Sequence, residues 1–125
     1  MILVDTSVWI DHLREGNLAL AALLKHNQVV MHPMVLGELA CGNLKNRPEL
    51  LRLWQSLDSI QTANNEEALY FIEQHGLMGN GIGYIDVHLL ASVILEAGTK
   101  LWTLDKRLAR LATDLTCAWE EPSRE

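Results

Sequence analysis

Apolar residues occur along this chain in two alternating patterns, short continuous runs and longer stretches with helical spacing. The run at residues 1–4, Met-Ile-Leu-Val, is typical of a strand that is buried on both faces. Because runs and helical stretches follow one another in turn, the pattern predicts an α/β fold with a parallel sheet. Strands are predicted at 1–4, 28–31, 58–61 and 100–104, with a final edge strand at 116–119.

Helices are expected between these strands, with turn residues at their ends. The predicted helices span 6–14, 18–25, 34–41, 49–56, 65–75, 84–97 and 106–112. The helix over 84–97 is apolar on nearly every side, so we expect its neighbours to cover it. The preceding segment, 77–83, contains three glycines and is expected to be a mobile loop. It lacks the Gly-Lys-Ser/Thr ending of a phosphate loop.

Size and composition are those of one globular domain, which we place at residues 1–125. The hydrophobic share of 49%, with 21% charged residues, argues against a disordered or fibrous protein. With only Cys41 and Cys117 present, we expect a cytoplasmic location and no disulfide framework. We expect no signal peptide, because Asp5 interrupts the first apolar run, and no membrane span, because no apolar tract approaches ~20 residues.

The net charge of −6 argues against non-specific attraction to nucleic acid, which normally depends on lysine and arginine. Basic residues are nevertheless grouped locally, around Lys45 and along residues 100–111. Such patches could bind a polyanion, although a solvated helix face explains each of them as well.

Four carboxylates lie where an α/β fold commonly places a ligand site. Asp5 and Asp105 each follow a predicted strand, and ligands bind at the carboxyl ends of strands in open parallel sheets. Glu38 shares a helix face with apolar neighbours, and Asp86 lies in the first turn of the 84–97 helix, in line with its apolar stripe. Ordinary explanations exist for each acid: a helix cap, a helix-dipole partner or a surface glutamate.

The joint arrangement of the acids is more informative than any one of them. Four clustered carboxylates cannot all stay charged unaided, since a like pair at ~4 Å costs about 4 kcal/mol at an effective dielectric of about 20. Either one acid protonates or a cation lies among them. With oxygen ligands and no His or Cys at zinc spacing, the expected cation is Mg²⁺ or Mn²⁺. Such a site suits the hydrolysis of a phosphodiester.

Four sequence blocks resemble, in the same order, those of PIN-domain ribonucleases. They are an apolar run ending in Asp-Thr-Ser, Met-Val-Leu-Gly-Glu-Leu, Tyr-Ile-Asp-Val-His-Leu-Leu-Ala and Leu-Trp-Thr-Leu-Asp-Lys-Arg-Leu. The resemblance extends over almost the whole chain and points to the VapC-type toxins of bacterial toxin–antitoxin modules. It implies a three-layer α/β/α domain with a four- or five-stranded parallel sheet flanked by helices.

The resemblance also implies an endoribonuclease with Mg²⁺ or Mn²⁺ as its cofactor. The implied catalytic and metal-binding residues are Asp5, Glu38, Asp86 and Asp105. Thr6 or Ser7 would orient a carboxylate or a water molecule. A metal-activated water would cut the RNA and leave a 5′-phosphate and a 3′-hydroxyl. The basic residues that flank the site are candidates to hold RNA phosphates: Arg14, Lys45, Arg47, Lys106, Arg107 and Arg110.

Partners follow from the same resemblance. It implies an RNA substrate, a cognate antitoxin that blocks the site, a homodimer and a toxin–antitoxin hetero-oligomer, and no membrane.

Other interpretations stay open on the sequence alone. A haloacid-dehalogenase-like phosphatase needs Asp-x-Asp after the first strand, but position 7 is serine. A phosphoacceptor receiver domain needs an acidic pair there. The five histidines show no pairing that suggests a histidine-dependent ribonuclease. Within the family, the alternatives are a non-toxin RNA-processing nuclease and a catalytically silent binding module, and the retention of all four acids argues against the second.

Overall fold

Four short strands form one parallel sheet in the computed structural model, which describes residues 1–122 of the predicted domain. Strand β1 (Ile2–Val4) lies between β2 (Val29–Met31) and β4 (Lys100–Trp102), and β3 (Asp58–Ser59) pairs with the outer side of β2. All three pairings are parallel. The α/β class and the parallel sheet predicted from the sequence are therefore confirmed.

Seven helices connect and cover the strands in this part of the chain. They are α1 (Thr6–Glu15), α2 (Leu18–Lys25), α3 (Pro33–Ala40), α4 (Arg47–Ser56), α5 (Asn65–His75), α6 (Tyr84–Leu95) and α7 (Lys106–Asp114). Parallel strands require long crossovers, and the helices supply them. Within residues 1–122, no helix has both the length and the apolar character needed to cross a membrane.

Local sequence signals fix where several helices begin and end. Pro33 occupies the first turn of α3, where its missing N–H leaves no partner unsatisfied. Asn64 and Glu67 form a capping box at the start of α5, each side chain accepting a backbone N–H of the other residue. Gly76 ends α5 in the left-handed conformation with φ of 61°. These helices begin and end within about a residue of the prediction because their caps are chemically explicit.

The largest differences from prediction are at the sheet edges. Strand β3 has only two residues, both exposed, and the predicted strand at 116–119 is reduced to a single parallel bridge between Leu101 and Ala118. Strand β4 ends at Trp102 instead of residue 104. Beyond it the hydroxyl of Thr103 accepts the N–H of Asp105 at 3.1 Å, and this local turn replaces further pairing.

Helix α4 begins two residues before the predicted position. Asn46 takes a left-handed conformation with φ of 55°, and Pro48 follows inside the first turn. Proline is tolerated there, so it does not separate the loop from the helix as the sequence suggested.

The core lies on both faces of the sheet. Leu3 and Val4 are completely buried in the central strand, and α6 buries every residue from Val87 to Val93. On α1 and α4, Trp9 and Trp54 pack edge to face, with ring centroids 5.9 Å apart. The expectation that α6 is covered by its neighbours is confirmed for this segment.

Replacing Leu3 by alanine should lower the free energy of unfolding by about 3 kcal/mol, because a buried side chain in the central strand leaves a cavity. Urea denaturation measures the change. The matched control is Leu18→Ala on α2, where 78% of the side chain is exposed and the change should stay within about 0.5 kcal/mol. Equal losses in both variants would contradict this account of the core.

Candidate active site

Asp5 lies at the carboxyl end of the central strand and is 7% exposed. Its backbone N–H still pairs with the carbonyl of Trp102 at 2.9 Å, so the residue continues the sheet. Although it occupies the N-cap position of α1, its side chain makes no capping hydrogen bond. Instead, Oδ2 accepts the hydroxyls of Ser7 at 2.8 Å and Thr103 at 2.7 Å. The helix-cap explanation of this carboxylate is therefore wrong, and its orientation is fixed by two hydroxyl donors.

Thr103 is a residue that the sequence analysis did not select. Its hydroxyl donates to Asp5 and accepts the N–H of Asp105, and the hydroxyl of Ser7 accepts the N–H of Leu104 at 3.0 Å. These bonds join the end of β1 to the end of β4. Thr103 directly follows β4 as Asp5 directly follows β1, since Val4 pairs with Trp102, but the predicted strand at 100–104 included it.

Asp105 is exposed and does act as a helix cap. Its Oδ1 accepts the backbone N–H groups of Arg107 and Leu108, both at 3.0 Å, at the start of α7. The ordinary explanation is thus correct for this acid. It does not exclude a second role, since a carboxylate has further lone pairs.

Glu38 lies on α3, on the exposed side of the apolar stripe. Its Oε1 accepts the hydroxyl of Thr6 at 2.8 Å, and this bond ties α3 to the first residue of α1. Thr6 and Ser7, adjacent in sequence, thus hold two different acids.

Asp86 is half-buried in the first turn of α6. Burial, and then the negative charge of Asp5, raise its pKa to about 6, with smaller contributions from Asp105 and Glu38. The backbone N–H of Gly83 bonds the carboxylate and partly offsets the increase. The charges of Asp5, Asp105 and Glu38 thus all act on Asp86, which supports the predicted proximity of the four acids.

The charge of this region suits a divalent cation. A cation would relieve the repulsion that raises the pKa of Asp86, and carboxylate and hydroxyl oxygens are the donors that hard cations prefer. Coordination is not complete as the side chains stand: within residues 1–122, no three His, Cys, Asp or Glu side chains are placed to hold a metal ion together. The acids would have to move closer to one another to do so.

Two of the predicted RNA-binding arginines contact backbone carbonyls. Arg47 donates to the carbonyls of Gly42, at 2.9 Å, and Ala40, so its guanidinium caps the end of α3. Arg107 donates to the carbonyl of Gly81 at 3.3 Å, in the loop before α6. Both guanidinium groups are therefore partly engaged in holding the fold.

The remaining four basic candidates lie at the surface in two places. Arg14 and Lys45 line the same groove of about 740 Å³, which also includes residues of α4. Lys106 and Arg110 are exposed on α7, the helix that Asp105 caps.

A buried histidine pair was not predicted. His32 and His88 are both buried, at 2% and 3% exposed, and no pattern in the sequence indicated that they lie near each other. Burial, and then His88, lower the pKa of His32 to about 4, which keeps it neutral at pH 7. Its Nδ1 accepts the N–H of Met34 at 3.0 Å, so the ring proton is on Nε2.

The fold and the site together define a parallel α/β domain with an acidic site at the carboxyl edge of its sheet. Residues 2–114 match the PIN domain, and the chain belongs to that family. It is 44% identical over 108 residues to Ribonuclease VapC32 of Mycobacterium tuberculosis, from strains CDC 1551 / Oshkosh and ATCC 25618 / H37Rv. The alignment covers 86% of this chain and 87% of the relative. The predicted resemblance to PIN-domain proteins of the VapC type is confirmed.

Asp86→Asn should stabilise the protein in EDTA at neutral pH. A raised folded-state pKa means that the folded protein binds the Asp86 proton more tightly than the unfolded chain, so this acid's contribution to stability falls as pH rises from about 4 to about 6. Asparagine removes that loss, and we expect a gain of about 1–2 kcal/mol at pH 7, allowing for solvent screening.

The measurement is urea denaturation of both proteins from pH 4 to pH 7.5 at fixed ionic strength. The gap between the variants should be smallest near pH 4 and level off above about pH 6. Titration of His32 destabilises both proteins equally in acid, so it cancels in the gap. A gap independent of pH would contradict the assigned environment of Asp86.

Proposed function

We propose that this protein is a Mg²⁺- or Mn²⁺-dependent endoribonuclease, the toxin of a type II, VapBC-like toxin–antitoxin system. The observation that carries the proposal is the concentration of like charge around Asp86, whose pKa is raised by burial and then by the charges of Asp5, Asp105 and Glu38. Membership of the PIN-domain family and the similarity to a protein named Ribonuclease VapC32 support the cleavage of RNA as the reaction.

Asp5 and Asp86 are proposed to bind the ion, with Glu38 and Asp105 completing the site. When bound, the ion supplies positive charge to the phosphate and lowers the pKa of a water molecule. The hydroxyls of Ser7 and Thr103 hold Asp5 by Oδ2, which keeps that carboxylate in one orientation. Glu38 or Asp105 would take the proton of the attacking water while the bond between phosphorus and the 3′ oxygen breaks. The products would be a 5′-phosphate and, once the 3′ oxygen has taken a proton from solvent, a 3′-hydroxyl.

RNA is proposed to approach over the local basic residues, since the net charge of −6 offers no general attraction. Lys106 and Arg110 lie on α7, the helix that Asp105 caps, and this supports a contact with phosphates beside the acids. Arg14 and Lys45 would extend this contact along the groove that they share. A cognate antitoxin that blocks the site, a homodimer and a toxin–antitoxin hetero-oligomer complete the proposal.

Purified protein, free of any partner, should cut RNA with Mg²⁺ or Mn²⁺ and stop in EDTA. Asp5→Asn and Asp86→Asn should each lower the rate at least about 100-fold, because each removes a proposed ligand. Gel analysis gives the rates, and end-group analysis should find a 5′-phosphate. The matched control is Glu73→Gln, an exposed acid on α5, which should cut normally. Equal cutting by wild type and both aspartate variants would contradict the nuclease proposal.

Mn²⁺ should also raise the melting temperature of the wild-type protein, because a ligand that binds the folded state stabilises it. Asp5→Asn and Asp86→Asn should show less than half of this shift, and Glu73→Gln should show all of it. Stabilisation without RNA cleavage would favour a silent binding module. Cleavage without growth arrest on induction, or arrest that the neighbouring reading frame does not relieve, would favour an RNA-processing nuclease over a toxin.

A further inference from the structure

We propose that Arg107 is a positioning residue that fastens the glycine-rich loop 77–83 to α7. This contact couples Asp105, at the start of α7, to Asp86, which follows the loop. This inference rests on the proposed function for its catalytic consequence. The contact itself can be tested without any RNA.

The contact between Arg107 and the loop is close and depends on glycine. Nη1 of Arg107 donates to the carbonyl of Gly81 at 3.3 Å. A Cβ built on Gly81 would lie 2.8 Å from Nη1 and 3.1 Å from Cδ, so the arginine side chain packs directly against the α-carbon. Gly81 also has φ of +78°, which other residues rarely adopt. A side chain at this position would therefore push the arginine away.

The loop leads directly to Asp86. Gly83, two residues after Gly81, is the N-cap of α6, and its carbonyl accepts the N–H of Val87 at 3.2 Å. Asp86 is the third residue after this N-cap, in the first turn of α6. The position of the loop therefore influences where α6 begins and where Asp86 lies.

Arg107 also contacts the opposite acid through its backbone. Its N–H donates to Oδ1 of Asp105 at 3.0 Å, and the N–H of Asp105 donates to the Thr103 hydroxyl that holds Asp5. One residue thus holds Asp105 with its backbone and the Asp86 loop with its side chain. The glycines allow the loop backbone many conformations, and the contact with Arg107 restricts them on the side that faces α7.

This role differs from the phosphate contact that the sequence predicted for Arg107. A residue that only attracts RNA should change KM and leave the loop as it is. A residue that positions Asp86 should increase loop motion in the free protein and lower kcat at saturating RNA, because small displacements of catalytic groups slow the reaction strongly.

Two variants break the contact in different ways, and two controls separate the causes. Arg107→Ala removes the donor and a charge, whereas Gly81→Ala displaces the guanidinium and keeps the charge. Gly79→Ala introduces a similar backbone strain in the same loop, with φ of +76°, but its Cβ would meet nothing within 4 Å. Arg110→Ala removes the same charge from the exposed face of α7.

Amide hydrogen exchange of the free full-length protein, followed by mass spectrometry, reports loop motion, and RNA cleavage gives kcat and KM. We expect faster exchange over 77–83 and a kcat lowered roughly tenfold in Arg107→Ala and in Gly81→Ala, with no further loss in the double variant. Gly79→Ala should have a kcat within about twofold of the wild-type value. Arg110→Ala should raise KM without faster loop exchange.

Wild-type exchange in Arg107→Ala would overturn the proposal, whether or not the protein cuts RNA. So would a kcat of Gly81→Ala equal to that of Gly79→Ala, or a loss in Arg107→Ala confined to KM. If wild type cuts no RNA, the proposed function fails, while the exchange data still decide whether Arg107 fastens the loop. If Gly81→Ala does not fold, the exposed Arg107→Ala variant carries the test alone.

Discussion

The middle position of β1 is the constraint on which the rest of the structure depends. This strand has only three residues, yet it pairs in parallel with β2 on one side and β4 on the other. Parallel pairing gives all strands the same direction, so the residues that follow them meet at one edge. Asp5 therefore stands beside Thr103, although 98 positions separate them in sequence. Helix α6 then brings Asp86 to the same edge, and α3 brings Glu38.

This convergence has an electrostatic cost that the fold only partly offsets. Asp5 is nearly buried but receives two hydroxyl donors, and Asp86 receives the N–H of Gly83. A hydrogen bond to a carboxylate stabilises its charged form, yet the one that lowers the pKa of Asp86 does not outweigh burial and three like charges. A cation bound among these acids would relieve this repulsion. Perturbed titration of this kind is common where proteins perform chemistry.

The acids are also tied to the ends of structural elements by small polar groups. Thr6 links α1 to α3 through Glu38, and Asp105 both caps α7 and lies beside the hydroxyl of Thr103. Arg47 illustrates the limit of reasoning from charge alone, because its guanidinium closes the end of α3. Structural and chemical roles are shared by the same side chains at this edge, so a cap and a ligand are not exclusive explanations.

The sequence by itself determined the α/β class, the order of strands and helices along the chain, and the positions of four acids, two after strands, one in a first helical turn and one on a helix face. It could do so because apolar periodicity and capping residues act locally, as at Pro33 and Asn64. Only the tertiary structure decided that β3 has two residues, that Thr103 holds Asp5, that His32 and His88 interact, and that Arg107 reaches Gly81. The length of β3 depends on its pairing with β2, and the other three features join segments distant in sequence. No local pattern encodes the packing that brings these segments together.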